Sequence, residues 1–149
     1  MADFDIERVD EANYEMLDDM AFLRAHGFRR EQAPAPLSGR MREALADPDF
    51  RLYAARAEGR FVGWIALMYM PKLGKWQGRG HVYVDELWVE PGFRRRGIAR
   101  ALMRKADELA AEREAMGVRL YVNADNPAAQ ALYERCGYRV GCQARLMEK

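Results

Sequence analysis

The twelve residues from Val89 to Arg100, VEPGFRRRGIAR, follow an apolar stretch and hold one proline, two glycines and four arginines. If a strand stops at Val89, turns through Pro91-Gly92 and enters a helix at Gly97, the unpaired amides of the helix's first turn point at the strand end. The helix dipole adds about half a positive charge there. Gly97 and the small Ala99 then leave room for a phosphate group to approach the backbone closely. Arg94, Arg95 and Arg96 can screen a polyanion from outside, although solvation at a helix start accounts equally well for Arg95 and Arg100. The expected chemistry is anion binding. It is not that of the GxxxxGK[ST] loop, since no lysine-hydroxyl pair follows the glycine, nor that of GxGxxG.

Such a site needs a strand before it and a helix after it. His81 to Val89 reads as a central strand, with Val82, Val84 and Trp88 on one face and Tyr83, Asp85, Leu87 and Val89 on the other. From Gly97 the period changes: Ile98, Leu102, Ala106 and Leu109 share a helical face, until Gly117 stops the helix. Residues 118–123 alternate as a strand, and Asn126-Pro127 supplies an N-cap and first-turn proline for a helix to about Cys136, ended by Gly137. From Tyr138 onward one or two closing strands are expected. Upstream, residues 4–9 alternate as a short strand, and residues 12–25 place Met16, Met20 and Leu23 at helical spacing before Gly27. Residues 39–46 fit a short helix, and residues 50–57 and 60–70 a hairpin about Glu58-Gly59.

With the elements placed, LWVEPGFRRRGIARAL resembles the coenzyme A signature of the GNAT (Gcn5-related N-acetyltransferase) superfamily: arginine or glutamine, two residues, glycine, one residue, then glycine or alanine. Arg94, Gly97 and Ala99 fit it. Some thirty residues later NPAAQALYERCGY resembles the family's second signature, at Asn126, Tyr133, Gly137 and Tyr138. The likeness spans roughly residues 60 to 140. It implies an α/β fold with a mixed central sheet of six to seven strands flanked by about four helices, and acetyl-CoA as co-substrate. It further implies that the backbone of Leu87, Trp88 and Val89 holds the pantetheine arm and that amides from Arg94 to Ala99, Ile98 included, hold the pyrophosphate. Asn126 would contact the pantetheine, and Tyr133 would protonate the departing thiolate, the alternative for Tyr133 being a plain core tyrosine.

An amine acceptor arrives as an ammonium and must lose a proton, which calls for a carboxylate on the acceptor side. The central strand offers Asp85 and Glu86. Asp85 is preferred because it shares parity with Leu87 and Val89 and matches a functional acid of the polyamine-acetylating members that YVDELWV resembles. Glu86 takes its place if a β-bulge swaps their faces. Either acid instead pairs with an arginine or attracts a cationic substrate. In the ribosomal-protein acetylating members an acid precedes the asparagine by five residues, where this chain has Tyr121. Trp64, Trp76 and Trp88 suit the walls of a pocket for a cationic amine, while core packing explains Trp64 and Trp88 as well.

The composition bounds the rest. A chain of 149 residues, half of them apolar, with a net charge of +1, suits one globular domain over residues 1–149. The charge balance argues against a nucleic-acid partner. Two cysteines, Cys136 and Cys142, and two distant histidines are too few for a disulfide framework or a metal centre, so no metal and a reducing compartment are expected. The acidic N-terminus and the lack of a long apolar run suggest neither export nor membrane attachment, hence a cytoplasmic location. The leading expectation is direct acetyl transfer to a primary amine of a small molecule, without a cysteine acyl-enzyme. A protein lysine or N-terminal amine as acceptor, and a non-catalytic acyl-CoA-binding domain, are the alternatives, and the family resemblance suggests a homodimer.

Overall fold

The computed structural model describes residues 3–149. In chain order these form β1 (Asp5–Arg8), α1 (Tyr14–His26), α2 (Gly39–Ala46), β2 (Phe50–Ala57), β3 (Arg60–Met70), β4 (His81–Val89), α3 (Ile98–Glu112), β5 (Gly117–Leu120) and α4 (Pro127–Arg135). The strands lie side by side in sequence order in one sheet. Every neighbouring pair is antiparallel except β4 with β5, which run parallel because α3 crosses between them.

Local chemistry explains most boundaries. Gly27 ends α1 in the left-handed conformation, its N–H donating to the Leu23 carbonyl at 2.8 Å. Ser38 caps α2 by accepting from the Met41 amide at 3.1 Å. Glu58 and Gly59 both have positive φ, which turns β2 into β3 with the twist a tight hairpin requires. The sheet buries both faces. On one, Ile98, Leu102, Ala106 and Leu109 of α3 cover Ile65, Leu67 and Val82. Full burial of a side chain such as Leu102 contributes about 1.5–3 kcal/mol, so this stripe holds the mouth of α3 firmly against the sheet. On the other face Leu17 and Met20 of α1 pack on Phe61, Trp64 and Ala66.

Three expectations need correction. Residues 138–149 form no strand, so the sheet has five strands rather than six or seven. Gly141 interrupts the alternation there, and Val140, Leu146 and Met147 are exposed rather than turned to a core. β5 stops at Leu120, leaving Tyr121 80% exposed. Finally α3 ends at Glu112 instead of running to Gly117: Glu114 adopts φ +50, and Gly117 begins β5.

The faces of β4 also differ from simple alternation. Ala66 faces Glu86 and Leu67 faces Val84, so Asp85 is an extra residue with no partner on β3. This β-bulge reverses the parity beyond it. Val82, Val84 and Val89 consequently share the α3 face, while Trp88 joins Trp64 on the α1 face.

Candidate active site

β4 and β5 pair only from His81 to Val84, opposite Gly117 to Leu120. Beyond the bulge the outer edge of β4, from Asp85 to Val89, has no strand beside it among the described residues. Unpaired backbone N–H and C=O groups on a sheet edge receive an extended ligand as they would another strand. The two parallel strands lead at their carboxyl ends into α3 and α4, so both helix N-termini sit at the end where the strands separate.

The chain from Glu90 to Gly97 is fastened in place. The Glu90 amide donates to the Val62 carbonyl at 2.8 Å, and the Glu90 carboxylate pairs with Arg60. Phe93 is buried between the guanidinium groups of Arg60 and Arg96, 5.2 Å and 4.9 Å from its ring centre. Arg94 turns back and donates through Nε to the Val89 carbonyl at 2.9 Å. Arg95 has φ +62 and Gly97 φ +85, while Arg94 has φ −71. The two positive-φ residues bend the chain sharply on its way into α3. Gly97 precedes α3 without any side-chain cap, and a Cβ built on it meets nothing within 4 Å. The first-turn amides of Ile98, Ala99 and Arg100 have no partner within the helix, whose first bond runs from Ala101 to Gly97, and they lie at its positive end. Gly63 lets β3 approach this region: a Cβ there would sit 3.0 Å from the Trp88 carbonyl and 3.4 Å from the Ile98 side chain.

On α4, Asn126 accepts from the Ala129 amide at 3.1 Å, the N-cap expected from its place before Pro127. Its amide nitrogen remains available to a ligand. Tyr133 is half-buried against the α3-side core, as are Leu87 and Ala99. Its ring meets Tyr138 edge-on at 6.1 Å. Burial, assisted by Cys136, pushes the Tyr133 hydroxyl above the ordinary tyrosine range.

Of the two acids, Glu86 reaches the other face. Asp85 is exposed at the bulge. Glu86, also exposed, accepts a hydrogen bond from the Trp64 indole N–H at 3.1 Å. Trp64 and Trp88 pack with ring centres 5.1 Å apart. Trp76 is not with them: it lies in the turn before His81, at the opposite end of the β3–β4 hairpin, with Lys75 over its ring. Sequence reasoning missed Arg24, whose guanidinium lies 5.2 Å from the Trp64 ring centre and 6.0 Å from that of Trp88. A signal was available: Leu17, Met20 and Arg24 are spaced three and four residues apart, so a charge continues the buried stripe of α1.

A parallel strand pair that separates, a glycine-entered helix at the gap and a free strand edge make up the candidate site. The model of the acetyltransferase (GNAT) family matches residues 12–138. The chain belongs to this family. Among curated relatives it is 36% identical over 129 residues to the mycothiol acetyltransferase of Clavibacter sepedonicus, covering 82% of this chain and 39% of that protein. It is 35% identical over 106 residues to an uncharacterized N-acetyltransferase of Mycobacterium bovis, covering 69% of this chain and 62% of the relative. The chain thus spans less than two thirds of the length of either relative. A solved aminoglycoside acetyltransferase from an uncultured soil metagenomic sample superposes with a TM-score of 0.80 at 26% identity, covering 98% of each chain. The solved aminoglycoside N-acetyltransferase AAC(6')-Iy in complex with CoA shares the fold with a TM-score of 0.77 at 16% identity, covering 97% of this chain and 98% of the other. No helix among the described residues is long and apolar enough to cross a membrane.

Proposed function

We propose that this GNAT chain is an acetyl-CoA-dependent N-acetyltransferase acting on the primary amine of a small molecule. The observation that carries the reading is the free edge of β4 from Asp85 to Val89, ending at the uncapped mouth of α3. Backbone groups of Leu87, Trp88 and Val89 bind the amides of an extended pantetheine chain, and the turn from Arg94 to Ala99 holds the pyrophosphate. The open space beside Gly97 and the uncapped first turn of α3 fit that group. Bound acetyl-CoA supplies an activated acetyl thioester.

The chain's own residues then handle protons. Glu86, held by the Trp64 N–H on the α1 face, takes the proton that an ammonium acceptor must lose. The bulge favours Glu86 over Asp85 for this task, because Glu86 lies on the α1 face with Trp64 and Trp88. Tyr133, kept protonated by burial, donates to the departing sulfur. The mycothiol and aminoglycoside acetyltransferases among the similar proteins act on small molecules by name, which supports an acceptor of that class.

The test is calorimetric titration with acetyl-CoA followed by an amine panel assayed by release of free thiol. Saturable binding and turnover, with Glu86→Gln losing more kcat than Asp85→Asn, support the reading. Folded protein that binds no acetyl-CoA overturns it, and binding without turnover of any amine reduces the chain to an acyl-CoA-binding domain.

A further inference from the structure

Arg24 stands where a helix normally presents an apolar side chain to a sheet. It follows Leu17 and Met20 along the buried stripe of α1, yet it is exposed and spreads over two tryptophans. A guanidinium over aromatic faces keeps its in-plane donors free to bond outward. Among the described residues Arg24 has no ion-pair or hydrogen-bond partner, in contrast to Arg30, which binds Asp18 and Asp19.

Trp64 organises the opposite charge as well. Its ring face carries Arg24, while its N–H holds the Glu86 carboxylate at 3.1 Å. One buried indole, 5% exposed, thus fixes a cation and an anion from two directions, and the two do not pair with each other. Opposite charges held apart on a rigid aromatic floor complement a ligand that carries both charges.

The geometry points to an acceptor whose primary amine lies close to a carboxylate, as in an amino acid: Glu86 receives the ammonium and Arg24 the carboxylate. This specifies the substrate of the acceptor site proposed above and rests on that reading. A planar carboxylate matches the guanidinium fork with two parallel hydrogen bonds, a fit that a purely cationic polyamine lacks.

The experiment pairs α-amino acids with their carboxamides, in which the amine is kept and the charge removed. Wild-type protein is expected to prefer the acid by roughly ten- to a hundredfold in kcat/KM, as loss of a charge-assisted contact predicts. Arg24→Met is expected to bring that ratio toward one by raising KM for the acid, and Arg24→Lys to restore part of it. A readout independent of turnover is the Trp64 indole N–H resonance in the CoA-bound protein, which the acid shifts in the wild type and fails to shift in Arg24→Met. Equal use of acid and carboxamide by both proteins overturns the inference while leaving the acetyltransferase reading intact. Turnover of no amine, with no shift of the indole resonance, overturns both. Phosphoethanolamine is a further arm: a preference for it over the amino acids also overturns the assignment of a carboxylate.

Discussion

Gly97 offers the most direct trial of the cofactor cradle, because two substitutions there separate backbone strain from occupancy of the site. Its φ of +85 is left-handed, so any L side chain costs about 1–2 kcal/mol. For a chain of 149 residues this lowers Tm by about 3–7 °C. A Cβ meets no atom within 4 Å, so Gly97→Ala adds no clash to that strain. Gly97→Glu carries the same strain and places a carboxylate where the pyrophosphate is proposed to sit. Two unit charges about 5 Å apart repel by about 3 kcal/mol at an effective dielectric of 20, and by less once salt screens them. Titration with acetyl-CoA should therefore show Gly97→Glu about ten- to a hundredfold weaker than Gly97→Ala, at matched Tm. The gap should shrink as salt is raised. Equal affinity of the two variants would refute the placement of phosphate at the mouth of α3, and an unchanged Tm in Gly97→Ala would refute the strain argument.

Other outcomes follow from single observations. Tyr133→Phe should keep acetyl-CoA affinity and lose about a hundredfold in kcat, and any alkaline fall of the wild-type rate that depends on Tyr133 should lie above the ordinary tyrosine range because burial holds the hydroxyl protonated; an unchanged kcat in Tyr133→Phe would argue against the assignment. His81 is buried, and burial with nearby Arg119 and Lys72 lowers its pKa. The unfolded chain takes up that proton first, so stability is full above about pH 6.5 and is lost as pH falls below it. Denaturant titrations from pH 7.5 to 5 should show that slope in the wild type and a flatter one in His81→Phe. Gly80→Ala would place a Cβ 1.8 Å from the Met70 carbonyl oxygen, a backbone contact that cannot yield without moving β3 against β4. Thermal melts should show this variant destabilised by about 1–3 kcal/mol or more, whereas a native Tm would mean that the hairpin relaxes freely.

Legibility in the sequence followed the range of the interactions. Gly27, Ser38, Glu58-Gly59 and Asn126-Pro127 set their boundaries through bonds within a few residues, and a local reading finds them. The mouth of α3 was legible for the same reason, since Pro91, Gly92 and Gly97 shape the backbone directly. The faces of β4 were not, because the bulge exists only in the register between β3 and β4. Trp76 looked equivalent to Trp64 and Trp88 in composition, but strand pairing sends it to the far end of the hairpin. Arg24 was overlooked because its meaning depends on what α1 packs against. Closing strands after Tyr138 were expected from apolar residues that remain exposed.

The bulge at Asp85 links the two halves of the proposed chemistry. Pairing between β4 and β5 stops at Val84, the residue before the insertion, and a bulge bends and twists the strand that carries it. The edge from Asp85 to Val89 is left open for a ligand at the point where side-chain parity reverses. That reversal keeps Val89 on the α3 face with Val82 and Val84, and it sends Trp88 to the α1 face beside Trp64. With uninterrupted alternation Trp88 would share the face of Val82 and Val84, and the aromatic floor beneath Arg24 would lose one of its two rings. A single unpaired residue therefore marks the gap proposed for the acyl donor and assembles the floor proposed for the acceptor on the other side of the same strand.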